Sequence, residues 1–545
     1  MAEGYRIICS ALQEAGVDTI FGVMGEGNMP LIDEWVHGLN NQYVAARHES
    51  GAVSMAEGYA RAGERLGVAT VTQGPGVTNT LTALTSAVRQ HAPVLLLAGA
   101  LPTQGSPSAQ NIDHEAVVAP SGAGYHRMTS VHGASEQLYA ALHAVRVEER
   151  PIVLDVPIDL QEMDWPRSAA GLRNVEAISQ RPQPDPNALA TAVAKLTDAQ
   201  RPAIIAGRGA ARSGARDALI ALAEHLGAPL ATSLQAKGLF SGHPLDVGIA
   251  GGFAYGHTQT LLGNCDRLLA FGASMNTWTA QHGASFPEAD VIHVDLDASR
   301  IGSYTDPDVA IVGDAKATAE ALLARVTVEL PADDERRSKL EEAISGGREV
   351  ERAIVETEGS LNAGEHVIGA VEPVLPRDRT LVLDAGHFMG WPILYLSVPD
   401  PQGFLWTCDF GSIGLGVATG IGSALARPDR TTVVVAGDGG LMLSLGELET
   451  VARLELPMIV LVLNDGGYGA EVQILRSQQR HGELALFDNP DLVEVARSLG
   501  FQAMHLSSTD DLDELAKRVA NLDGPLFVES RIGDAIAPWF QHMLP

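Results

Sequence analysis

The chain has 545 residues, a formal net charge of −30, 46% hydrophobic residues and 19% charged residues. That length suits three or four ordinary domains, and the apolar content excludes a disordered chain. The charge excludes nucleic acid or an anionic membrane surface as the main partner. Cys9, Cys265 and Cys408 are too few and too scattered for a disulfide framework or a zinc cluster. The first residues lack a basic-then-apolar leader, and no apolar run reaches the ~18 residues of a membrane span. The expectation is a cytoplasmic protein with neither a membrane nor a nucleic-acid partner.

Three stretches open alike, with an amphipathic helix, a short break, a buried strand and a glycine turn. They begin at residues 5–15, 187–196 and 365–374, and their strands follow at 19–21, 202–206 and 380–383. Further apolar runs at 67–72, 94–98, 267–271, 291–294, 432–436 and 458–463 do not alternate, so they read as parallel strands covered on both faces. The predicted class is α/β, with three doubly wound parallel-sheet domains at 1–170, 186–330 and 358–545. A proline-rich linker at 179–186 separates the first two. A charge-rich segment at 332–359 separates the last two and reads as a solvated helix plus connector.

The last unit carries the chemistry. One strand runs into Gly437-Asp438-Gly439-Gly440, and the next ends at Asn464-Asp465-Gly466-Gly467-Tyr468-Gly469. One crossover places both clusters at the carboxyl ends of their strands, where open α/β sheets bind ligands. Glycines let backbone approach a phosphate, and a following helix offers free amides to an anion. Asp438 and Asp465 supply hard oxygen ligands of the kind Mg2+ takes together with phosphate oxygens.

The Gly437-Asp438-Gly439 turn, followed 27 positions later by Asn464-Asp465, resembles the signature of thiamine-diphosphate enzymes. The branch is that of acetolactate synthase, pyruvate decarboxylase and benzaldehyde lyase, and the resemblance covers essentially the whole chain. It implies pyrimidine-binding, central and diphosphate-binding domains, in that order. It implies thiamine diphosphate and Mg2+ as cofactors, with Asp438, Asp465 and the Gly467 carbonyl as metal ligands. The family usually has Asn where this chain has Asp465. Gly437, Gly439, Gly440, Gly467, Tyr468 and Gly469 would line the cofactor, as would Gly386, His387 and Phe388 at the end of that domain's first strand. Gly411-Ser412-Ile413-Gly414 matches the segment that bends the cofactor, with Ile413 as the wedge between its rings.

In the first unit, Arg47-His48-Glu49 leads into an alanine-rich helix. The resemblance makes Glu49 a buried carboxyl that protonates the aminopyrimidine and so generates the reactive ylid. Glu57, farther along the same helix, reads as structural. Gln73-Gly74-Pro75-Gly76-Val77-Thr78-Asn79 resembles the turn lining the pyrimidine, with Gly74 and Asn79 as its contacts. In this family the glutamate of one subunit meets the diphosphate domain of another, which implies a homodimer or homotetramer.

Three further polar residues are candidates for handling protons near the substrate: Glu26, His114 and Glu471. Each also reads as a solvated loop or helix-start residue, and Gln110, near His114, fits the synthase pattern. The frame resembles acetolactate synthases, while the acidic residues resemble decarboxylases. The expected activity is decarboxylation of a 2-oxo acid, carboligation of the resulting enamine to an aldehyde or other carbonyl, or both. Acyloin or diketone cleavage stays open. So does a flavin-dependent oxidase, because Gly207-Arg208-Gly209 and Asp295-Leu296-Asp297 are compatible with FAD. The non-enzyme reading is a silent regulatory or assembly subunit.

Overall fold

The structure is a computed structural model that describes residues 2–105, 108–166, 181–327, 335–356, 359–533, 536–541 and 544. Among these residues there are three six-stranded sheets, each parallel throughout. The first runs in the spatial order 42–45, 19–22, 67–71, 94–100, 152–157, 124–127. The last runs 404–406, 379–383, 431–437, 458–464, 526–531, 502–505, which is the same order of strands. The central sheet, 246–249, 230–232, 202–206, 267–271, 290–295, 309–312, differs at both edges. A two-residue antiparallel pair, 2–3 with 164–165, closes the first unit.

Buried β-branched and leucine runs make these strands. Val433, Val434 and Val435 are fully buried, as are Val460 and Val462 beside them. Burying each such side chain is worth roughly 1.5–3 kcal/mol. One apolar core joins the first and last sheets through helix Glu49–Gly63 and helix Gly416–Ala426. Small residues let these two backbones touch: a Cβ at Gly58 would strike the Thr419 carbonyl, and one at Gly422 the Met55 carbonyl. Glu57 faces this core fully buried and pairs with Arg61 at 2.9 Å, in keeping with a structural role.

The charge-rich segment forms helix Glu335–Val355, whose Glu351 carboxylate meets His257 of the central unit at 2.9 Å. Lys237 ties the central unit to the last one by donating to the Ile393 carbonyl at 2.7 Å. Among the described residues no helix is long and apolar enough to cross a membrane.

Candidate active site

Strands 431–437 and 458–464 pair in register, with Gly437 opposite Leu463. That register brings Asp438, which opens helix Asp438–Leu443, beside Asp465 just past the neighbouring strand. The helix expected after Gly440 is Gly446–Arg453, and a short helix, Asp438–Leu443, precedes it. Asp438 is fully buried, and its Oδ2 accepts from Asn489 Nδ2 at 2.6 Å. Its Oδ1 is buried with no hydrogen-bond partner. Burial first, and then the charge on Asp465, push the Asp438 carboxyl up to about 7. On the other side His387 Nε2 lies 2.7 Å from Asp465 Oδ2.

A buried carboxylate oxygen without a partner, next to a second carboxylate, is costly unless a cation sits between them. The Gly467 carbonyl faces the same space: a Cβ on Gly439 would lie 3.3 Å from it and 2.7 Å from the Tyr468 ring. Two carboxylates and a backbone carbonyl form the oxygen donor set a divalent cation takes. The residues present therefore fit a metal.

The site sits at the topological switch point of its sheet, between the ends of strands 379–383 and 431–437. A cavity of about 340 Å³ opens there. It is lined by Gly386, His387, Phe388, Gly411, Ile413, Gly437, Asp438, Gly439, Gly440, Asp465, Gly467, Tyr468, Gly469 and Glu471. Ser412 is not among them; its hydroxyl donates to the Ile413 carbonyl at 3.2 Å. Ala385, Met389, Cys408, Ala470, Trp539 and Phe540 complete the wall.

Asp384 was missed as a site residue. It accepts the Ala385 N–H at 2.9 Å and the Gly414 N–H at 3.0 Å, fixing the loop that presents Ile413. Gly414 has φ +85°, a left-handed conformation that suits glycine there. Burial pushes the Asp384 carboxyl up to about 6. The available signal was its place at the end of the unit's first strand.

The first unit gathers a second cluster at its own sheet edge. His48 caps the helix by accepting the Ser50 N–H at 3.1 Å, and Glu49 is its first residue. Glu49 Oε2 accepts from Asn79 Nδ2 at 2.9 Å. Within this single chain Glu49 is half-buried, not the fully buried carboxyl expected. Glu26 is exposed on its loop, and Glu471 is exposed at the cavity rim.

His114 is hydrogen-bonded at both ring nitrogens. Its Nε2 accepts the Gly74 N–H at 3.0 Å, so Nδ1 carries the proton and faces Asp155 at 2.9 Å. The side chain is 5% exposed. Tyr125 donates to the same Asp155 at 2.7 Å. Gln110 accepts from Gln73 Nε2 at 2.7 Å. None of Glu49, Glu26, Gly74, Asn79 and His114 lines the cavity. The chain thus carries two separate clusters, one on each outer sheet.

In the central unit a Cβ at Gly207 would strike Gly272, and one at Gly209 would lie 2.9 Å from the Gly272 Cα. Direct packing of two strand-end turns accounts for these glycines without a flavin.

Three family models match in chain order. They are the thiamine pyrophosphate enzyme N-terminal TPP binding domain (residues 2–121), central domain (189–322) and C-terminal TPP binding domain (384–530). The chain belongs to the thiamine pyrophosphate enzymes, in the acetolactate synthase and pyruvate decarboxylase branch. It is 28% identical to a probable acetolactate synthase large subunit of Methanocaldococcus jannaschii, covering 98% of this chain and 93% of that protein. It is also 28% identical to the acetolactate synthase isozyme 2 large subunit of Escherichia coli, covering 98% and 96%. With the acetolactate synthase large subunit of Corynebacterium glutamicum it shares 26% identity over 98% and 88%.

Proposed function

We propose that this thiamine-diphosphate-dependent enzyme uses Mg2+ to decarboxylate a 2-oxo acid and passes the remaining fragment to a second carbonyl or releases it as an aldehyde. The observation that carries the reading is the unpartnered, buried Oδ1 of Asp438 beside Asp465 at the switch point. Relatives named acetolactate synthases, matched over nearly their whole length, support the reaction class.

Asp438, Asp465 and the Gly467 carbonyl hold the metal, and the glycines at 386, 437, 439, 440 and 469 leave room for a diphosphate. Ile413, on the loop fixed by Asp384, would pack against the bound cofactor. Thiamine diphosphate supplies, when bound, a nucleophilic carbon that adds to a carbonyl and accepts the electrons released with carbon dioxide. Glu49 exchanges a proton with the aminopyrimidine ring, and Asn79 holds its carboxylate in place. Glu471 at the rim, and Glu26 from its loop, are the residues placed to deliver protons to the substrate. His114 acts as a positioning residue for the Gly74 turn. The two clusters of one chain do not form one cavity, so a homodimer, alone or paired into a tetramer, completes each site with Glu49 of the other copy. Three free cysteines suit a reducing, cytoplasmic setting.

The test is a panel of 2-oxo acids with carbon dioxide and product detection, run on wild type and Glu49→Gln. Wild type turns over at least one acid, and Glu49→Gln loses ~10²-fold or more in kcat. Calorimetry shows the variant still binding the cofactor. Full activity in Glu49→Gln, or no turnover of any 2-oxo acid by cofactor-loaded wild type, overturns the proposal.

A further inference from the structure

A second cavity, of about 490 Å³, lies where the three units meet. It is at the amino-terminal ends of the first and last sheets, opposite the catalytic edge. Arg61, Arg65, Arg146, Arg208 and Arg212 line it, against only Glu64 and Glu149. In a chain with a net charge of −30 this gathering of guanidinium groups runs against the composition.

Three of the five are neutralised. Arg61 pairs with Glu57 at 2.9 Å, Arg65 reaches Asp18 at 3.6 Å, and Arg212 pairs with Glu149. Two are not. Arg208 donates to the Gln90 carbonyl at 2.9 Å, and Arg146 to the Ala15 carbonyl at 2.6 Å. Among the described residues neither has a carboxylate within ion-pair distance. Asp409 and Glu149 are the acidic groups whose charge Arg208 feels; Asp409 is already held by Gln90 and Gln235, and Glu149 by Arg212. Arg208 is half-buried, and burial with the neighbouring Arg61 and Arg212 pushes it down to about 10. His91 beside them is held neutral by the same causes.

A partly buried guanidinium without an ion-pair partner of its own is unfavourable, and its planar fork matches phosphate and carboxylate oxygens. We propose that this cavity is a binding site for a multiply charged oxyanion, a phosphate or carboxylate metabolite, gripped by Arg208 and Arg146. A ligand there touches all three units. It also touches helix Glu49–Gly63 at Ala60 and Arg61, the end opposite Glu49. The proposal needs no turnover and stands apart from the catalytic reading.

The experiment is titration calorimetry on protein saturated with thiamine diphosphate and Mg2+, so that the catalytic diphosphate site is filled. Inorganic phosphate and succinate are titrated separately at constant ionic strength. At least one binds wild type. Arg208→Gln and Arg146→Gln each weaken it tenfold or more, and Arg325→Gln, exposed outside the cavity, leaves it unchanged. Binding of phosphate alone assigns a phosphorylated ligand, and binding of succinate alone a dicarboxylate. Arg146→Gln, on a separate helix, serves if Arg208→Gln does not fold. No binding of either probe to wild type, or equal affinity in the two cavity variants, overturns the proposal.

Discussion

The carboxylate of Glu447, in the last unit, accepts the backbone N–H of His48 at 3.1 Å. The same oxygen takes the Arg47 N–H at 3.0 Å, and the other accepts from Thr450 at 2.8 Å. One side chain of the last unit therefore fixes the turn that presents Glu49. Glu447→Ala leaves two N–H groups unsatisfied, a cost of about 2–3 kcal/mol. The expected result is a lower melting temperature together with a loss of kcat larger than the change in KM. Glu447→Gln, which keeps an acceptor, recovers most of both. Thermal melts and steady-state kinetics on the two variants check this.

Removing one of two crowded carboxylates has opposite effects with and without cofactor. Asp438 has a raised carboxyl, so above neutrality its buried charge opposes folding of the cofactor-free protein. Asp438→Asn raises the melting temperature of that form by roughly 2 °C. It also abolishes the upward shift that Mg2+ with thiamine diphosphate gives wild type. Scanning fluorimetry reads both signs; a variant that melts lower and still responds contradicts the argument.

Asp465→Asn behaves differently. The amide oxygen remains a hard ligand, and the contact to His387 becomes one between neutral groups. Cofactor affinity, measured by calorimetry, stays within about tenfold of wild type. Complete loss of Mg2+-dependent binding would contradict the ligand assignment.

His114→Ala strips a partner from the fully buried Asp155 and an acceptor from Gly74. Stability falls by about 3 kcal/mol. The limbs of the pH–rate profile stay where they are, because the imidazole does not exchange a proton with substrate. A displaced limb in the variant's profile would return His114 to the proton-transfer machinery.

Lys237 is half-buried, and burial pushes its ammonium down to about 8. The folded state therefore releases that proton before the unfolded state does, so wild type gains stability as pH rises from about 8 towards 10.5. Lys237→Met lacks this gain. Its stability relative to wild type is greatest below pH 8 and shrinks by about 3 kcal/mol across that window. Melting curves of both proteins over the alkaline range measure the difference.

The strand ends were the most legible part of the sequence. Apolar runs such as 431–437 and 458–464 are buried along almost their whole length, so hydrophobicity alone marks them, and the Asp438 and Asp465 clusters follow directly. Groups whose role depends on remote packing were not legible. Asn489 reaches Asp438 from 51 positions away. Glu447 acts on a backbone 399 positions distant. Nor does the sequence reveal that Gly74 and Asp155 engage the two nitrogens of His114. The exposure of Glu49 depends on what covers the sheet edge, which the sequence does not show.

The bare backbone seam between helices 49–63 and 416–426 also limits how the gene can be recombined. Splicing the front of this polypeptide onto the rear of a cousin would set a bulkier residue from one parent against main chain from the other. Hybrids that inherit both helices from a single parent avoid that clash, so viable single crossovers fall before residue 49 or after residue 426.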